Sequence, residues 1–115
     1  MFLLNLSSNY KLLQNQMGVS KTTQYTKEIL EISKIANALA HPARIKIVET
    51  LKHDSGKRNI DFQLLLGLSQ TSVHVHLTKL KEAKIVEFNQ FRNQYHVELI
   101  EDNLDDLVDF LNGLA

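Results

Sequence analysis

Five histidines and thirteen carboxylates are the side chains in this 115-residue sequence with the types to bind a metal or move a proton. His74 and His76 are two residues apart, which on a helix turns their rings about 200° from each other and prevents them from sharing an ion. His41 stands at a helix break before Pro42. His53 and His96 are isolated and meet other ligands only through the fold. Capping, phosphate contact or packing accounts for such histidines more simply than a metal site does. Asp102, Asp105, Asp106 and Asp109 lack calcium-loop spacing. They read as a solvated helix face, with the first acids favoured by the helix dipole. Ser69, Ser72 and His74 are close in sequence, but Ser69 reads as a helix cap. No phosphate loop, nucleophile elbow or His-Glu metalloprotease motif occurs. The absence of cysteine removes disulfides, thiolate metal sites and cysteine nucleophiles. The chain is therefore expected not to be an enzyme, with no catalytic residue, no metal and no cofactor.

A second set of residues fits a different chemistry. Between Gln70 and Glu82, Val73, Leu77 and Leu80 fall on one helical stripe. The opposite arc holds Thr71, Ser72, Val75, Thr78 and Lys79, flanked by Gln70 and His74. Glutamine can pair with adenine, hydroxyls with several base edges, and an apolar group with the thymine methyl. A solvated helix face explains the polar members of this arc but gives no motive for Val75. Lys79, Lys81 and Arg92 are spaced to meet phosphates. Together these residues predict an interface for double-stranded DNA.

Such residues need a rigid frame, and the apolar pattern supplies one. A first helix is predicted over Thr26–Ala40, with Ile29, Ile32, Ala36 and Leu39 at helical spacing and Leu30 and Ile35 widening the stripe. His41-Pro42 breaks it, because a residue before proline avoids the α region. Pro42 then opens a second helix to about Lys52, with Ile45, Val48 and Leu51 as its buried face. A short third helix spans about Asp61–Leu66, capped by Asn59 or Asp61 and closed by Gly67. Ser69 caps a fourth, about Gln70–Ala83. The period then changes to two. Val86 and Phe88, then Tyr95, Val97 and Leu99, alternate with polar residues around a turn at Gln90–Gln94, as in a β-hairpin. A last helix, about Asp102–Gly113, carries Leu104, Leu107, Val108, Leu111 and Leu114 on one face. The third and fourth helices, joined by Gly67-Leu68-Ser69, make a helix-turn-helix, and the hairpin after it makes a winged helix. The fold class is mainly α with a small β-hairpin.

The segment Ala38-Leu39-Ala40-His41-Pro42-Ala43-Arg44-Ile45-Lys46-Ile47-Val48 resembles the entry to the winged-helix domain of the ArsR family of bacterial repressors. Leu66-Gly67-Leu68-Ser69-Gln70-Thr71-Ser72-Val73, then His76-Leu77 and Leu80-Lys81-Glu82-Ala83, resembles the recognition segment of the same family. The resemblance covers about Ile29 to Leu99. It implies a homodimeric repressor with N- and C-terminal dimerisation helices, here offering Ile29, Ile32, Leu104, Leu107, Val108 and Leu111 as the interface. The sequence departs from the family in several places. The Cys-x-Cys pair of its thiolate sensors is replaced at about Arg58 and Ile60, and residues 102–115 lack the histidine of its second metal site. Val75 stands where the family often has arginine, and His74 where serine is common. Lys84 replaces the glycine that ends the recognition helix. The hairpin tip also lacks its usual glycine, leaving Asn93 as the candidate for positive φ.

The charge balance qualifies the DNA reading. Thirteen basic and thirteen acidic residues give zero net charge, which taken alone argues against nucleic acid. The charges are partitioned, however. Residues 1–40 carry net +2, and residues 41–96 carry net +4 and all five histidines, whereas residues 97–115 carry six acids and no base. DNA binding is then expected to be weaker than that of a strongly basic domain, with the acidic helix held away from the duplex. No stretch approaches the roughly 20 apolar residues that cross a bilayer, and the chain is expected to be cytoplasmic. Residues 1–23 read as a leader, partly ordered at most, with Met17 as an alternative start. Residues 24–115 read as the winged-helix domain. Two other readings stay open: a winged helix used as a protein-interaction module without specific DNA binding, and a repressor responding to metal through histidines and carboxylates.

Overall fold

The computed structural model describes residues 24–115, so the leader and the alternative start at Met17 lie outside the described residues. The elements are α1 (Lys27–Ala38), α2 (Pro42–His53), α3 (Asn59–Leu66), α4 (Gln70–Glu82), β1 (Val86–Phe91), β2 (Gln94–Leu99) and α5 (Asp102–Gly113). The chain divides within α1, between Glu31 and Ile32, into two units. In the first, Thr26 Oγ1 accepts from Ile29 N–H at 3.2 Å, which caps the start of α1.

The second unit is built around Ile35, Ala38, Ile47, Leu51, Phe62, Val73, Leu77, Leu80, Ile85, Val86 and Val97. Each described helix and the hairpin places its apolar face by its own boundary chemistry. α1 stops at Ala38, two residues before the expected end, because the following residues are committed to α2. His41 is the N-cap, its Nδ1 accepting from Ala43 N–H at 3.0 Å, and Pro42 occupies the first turn. The buried face of α2 is Ile47 and Leu51, not the expected Ile45, which is 50 % exposed. The period alone allowed either neighbouring stripe, and the helices packed against α2 select one. α3 begins at Asn59 rather than Asp61, and its N-cap is Arg58. The reason is the Asp61 carboxylate, which reaches back to accept from Arg58 N–H at 2.8 Å. Gly67 then closes α3 at φ +65, a conformation that disfavours any residue with a Cβ.

α4 is started by Ser69, whose Oγ accepts from Ser72 N–H at 3.1 Å. It ends one residue short of the expected Ala83, which is its C-cap. Lys84 takes the left-handed position at φ 56. Lys84 N–H donates to Lys81 O and Ile85 N–H to Leu80 O, both at 2.9 Å, the pair of bonds of a Schellman stop. The antiparallel hairpin runs in the register Val86↔Leu99 to Phe91↔Gln94. Its turn is Arg92-Asn93 alone, tighter than the expected Gln90–Gln94, and both residues have positive φ (51 and 62). Two such residues fit the type I′ turn that matches strand twist. The other side of β2 pairs with the loop before α3, where Val97 N–H donates to Lys57 O at 2.6 Å.

Ile47 and Ile45 give a direct check on which stripe of α2 is inward. Ile47→Val is expected to lower unfolding free energy by about 1 kcal/mol. Ile45→Val is expected to change it by less than about 0.5 kcal/mol. Urea denaturation of both variants measures the difference, and the reverse order would place Ile45 in the core.

Candidate nucleic-acid interface

The candidate surface begins with the packing of α4. Val73, Leu77 and Leu80 are buried, at 0, 3 and 0 % exposure. Their burial turns the ridge Thr71, Val75 and Lys79 outward, and all three are exposed. Val75 is 49 % exposed on this polar helix face. Gln70 and His74 are exposed beside the ridge. Ser72 and Thr78 are half-buried. Ser72 is tied into the cap, accepting from Ser69 at 3.1 Å, and Thr78 Oγ1 lies 3.5 Å from His74 Nε2, one turn away. Of the expected phosphate contacts, Lys79 projects from the outer ridge. Lys81 instead lies over the Phe88 ring, 4.8 Å from its centroid. Arg92 sits at the hairpin tip, exposed, with its guanidinium 5.2 Å from the Phe91 ring centroid.

The histidines separate as the helical spacing requires. His74 faces out with Thr78, whereas His76 faces the start of α2. Its ring lies 4.3 Å from that of His41, centroid to centroid, and its Nδ1 is 3.3 Å from Arg44 Nη1. Arg44 Nε also donates to Ala38 O at 2.6 Å. Arginine only donates, so His76 Nδ1 must hold a lone pair for the first of these bonds. His41 Nδ1 must do the same for the α2 cap. This three-residue junction ties α4 to the end of α1 and the start of α2. It joins residues 32 and 35 positions apart, and no local spacing announced it. His96 has a different role, with Nδ1–H donating to Gly56 O at 2.9 Å and bracing β2. Among the described residues, no three His, Asp or Glu side chains are grouped so as to hold a metal ion.

The proposed interface helices are placed as follows. Ile32, Leu104 and Leu107 are half-buried and pack against the core of the second unit. Ile29 is 43 % exposed, Val108 and Leu111 on α5 are each 53 % exposed, and Leu114, its C-cap, is 69 % exposed. α5 is held to the rest of its unit by Asn103 Nδ2, which donates to Ala83 O at 2.9 Å, and by an ion pair between Lys52 and Glu101. That exposed pair contributes little by itself.

No family model matches the chain, and no curated protein matches it by sequence. Solved structures do. An ArsR-like transcriptional regulator from Rhodococcus sp. RHA1 superposes with TM-score 0.69 at 17 % identity, over 77 % of this chain and 83 % of that one. The transcriptional repressor BigR from Xylella fastidiosa gives TM-score 0.61 at 26 % identity, over 76 and 86 %. A homodimeric winged helix-turn-helix DNA-binding domain from Mycobacterium bovis, a possible ArsR-family regulator, gives 0.61 at 17 %, over 75 and 80 %. The fold is therefore the winged helix-turn-helix of ArsR-type regulators.

The junction makes stability depend on pH. Burial first, then the neighbouring His41 and Arg44, hold His76 below the ordinary histidine value of 6.5. The unfolded chain then binds this proton more readily than the folded one. Stability present above pH 6.5 is lost as pH falls through the lowered value. Unfolding free energy is expected to decline as pH falls below 6.5, and His76→Gln is expected to flatten that decline. Denaturant titrations over a series of pH values test it, and an equally steep fall in the variant would remove His76 as the cause.

Proposed function

We propose that this chain is a sequence-specific DNA-binding transcriptional regulator acting as a homodimeric repressor. The observation that carries the reading is the two-sided α4. Its Val73, Leu77 and Leu80 ridge is locked in the core, and its Thr71, Val75 and Lys79 ridge is offered to solvent. A helix held this way presents its N-terminal residues to the major groove. Gln70, Thr71 and Ser72 are then the first to meet base edges, and Val75 can lie against a thymine methyl. Lys79 and Arg92 flank them as phosphate or minor-groove contacts, with Thr78 and His74 alongside. The likeness to a repressor and to a homodimeric DNA-binding domain supports the same reading.

Dimerisation is supported by the apolar residues that the fold leaves exposed. Val108, Leu111 and Leu114 continue the face of α5 beyond its packed half. An open, mainly apolar cleft lies beside α5, lined by Leu39, Ile45, Val48, Leu99 and Leu104 together with the charged Glu49, Lys52, Glu101 and Asp105. A two-fold pairing would set two recognition helices about 34 Å apart, one turn of DNA.

A specific observation favours one alternative. Ile60, Leu64 and Leu65 on α3 are 44, 79 and 47 % exposed, an apolar surface suited to a protein partner. Capture of one stoichiometric protein partner, with no duplex selected from a random pool, would favour that alternative over DNA.

Selection from a random duplex pool followed by variant binding tests the main reading. Lys79→Ala and Arg92→Ala are each expected to weaken binding to every duplex and lower the salt slope by about one. Thr71→Ala and Gln70→Ala are expected instead to reduce discrimination among sequences by about 1–3 kcal/mol. Unchanged affinity and preference in all four would sink the assignment. For the dimer, Leu111→Asp is expected to halve the particle to the 13.2 kDa chain in light scattering. A wild-type particle of that mass would refute it directly.

A further inference from the structure

The wing tip holds an arginine where arginine is poorly suited. Arg92 is the first residue of the two-residue turn, at φ 51, a position that favours asparagine, aspartate or glycine. A strained residue with a long cationic side chain at the outermost point of a fold calls for a reason beyond chain reversal.

The neighbours of Arg92 suggest that reason. Its guanidinium lies over Phe91, 5.2 Å from the ring centroid. The Phe91 ring meets His96 edge-on, with centroids 6.2 Å apart and planes at 73°. His96 is in turn anchored by its Nδ1–H to Gly56 O at 2.9 Å. The hairpin register puts Phe91 opposite Gln94 and His96 opposite Asn89, so Phe91 and His96 are diagonal neighbours on one face of the sheet. Phe91 is 60 % exposed and outside the core. It contributes little to folding, so its ring is free to act as a platform. The sequence of contacts runs from a loop beside the core, through His96 and Phe91, to the guanidinium.

We propose that Phe91, braced by His96, is a positioning residue that holds the Arg92 guanidinium in place for contact with duplex DNA. This rests on the DNA-binding reading above. A free arginine on a turn must lose side-chain freedom when it binds, whereas one already stacked on a ring loses less. The geometry also makes the platform specific to a π face, since an aliphatic side chain offers no quadrupole to a cation.

The experiment is a double-mutant cycle on the full chain, with the duplex selected from a random pool. Phe91→Leu is expected to weaken binding by about two- to five-fold. Phe91→Trp is expected to retain wild-type binding. In an Arg92→Ala background, Phe91→Leu is expected to cause no further loss. Without DNA, the Arg92 side-chain proton resonances are expected to move when Phe91→Leu removes the ring current. The melting midpoint of Phe91→Leu is expected to match wild type. The proposal is overturned if Phe91→Leu binds as tightly as wild type, if its loss is as large without Arg92, or if the Arg92 resonances do not move. A wild-type chain that selects no duplex overturns the DNA reading itself. The resonances then still decide whether Phe91 holds Arg92.

Discussion

The turn that ends α4 aims everything that faces outward. Leu80 O and Lys81 O receive the N–H groups of Ile85 and Lys84, so the chain reverses within three residues. Leu80 and Ile85 are both fully buried, and their burial sets the direction in which the chain leaves the helix. Ile85 then accepts from Ile100 N–H at 2.7 Å, which brings the far end of the hairpin back to the same point. α4 and the hairpin thus share one anchor. A lysine at the left-handed position, where glycine is the easier choice, shows that the two buried neighbours dominate the local backbone preference.

The charge distribution follows this geometry. The acids of residues 97–115 are carried largely by α5, which Asn103 and the Lys52–Glu101 pair hold to its own unit. The cations Lys79 and Arg92 stand on the exposed side of α4 and at the hairpin tip. A chain with zero net charge thus carries these exposed cations and its acidic helix on different elements.

Much of the frame was legible because its signals are local. Pro42, Gly67 and Ser69 mark boundaries through φ restriction, positive φ and side-chain capping, all short-range effects. The change from helical to two-residue period located the hairpin. The same local signals left small ambiguities. Ile45 and Ile47 both suit an apolar stripe of α2, and only packing decided for Ile47. The start of α3 depended on how far the Asp61 carboxylate reaches back. The turn length depended on Arg92 accepting a conformation that its residue type disfavours.

By itself the sequence determined the order of elements, the inward ridge of α4 and the outward residues opposite it, since helical geometry allows no other arrangement once Val73, Leu77 and Leu80 are inside. It also excluded thiolate chemistry outright. Tertiary structure alone decided that His41 and Arg44 meet His76, and the tight hairpin decided that the Phe91 ring meets both Arg92 and His96. Tertiary structure also decided how much of α5 is used up by its own core and how much is left exposed. The reason is that a periodic pattern records which face of a helix is apolar, but not what covers it. Contacts between elements depend on the packing of whole helices, where a side chain several turns away is as close as a neighbour in sequence.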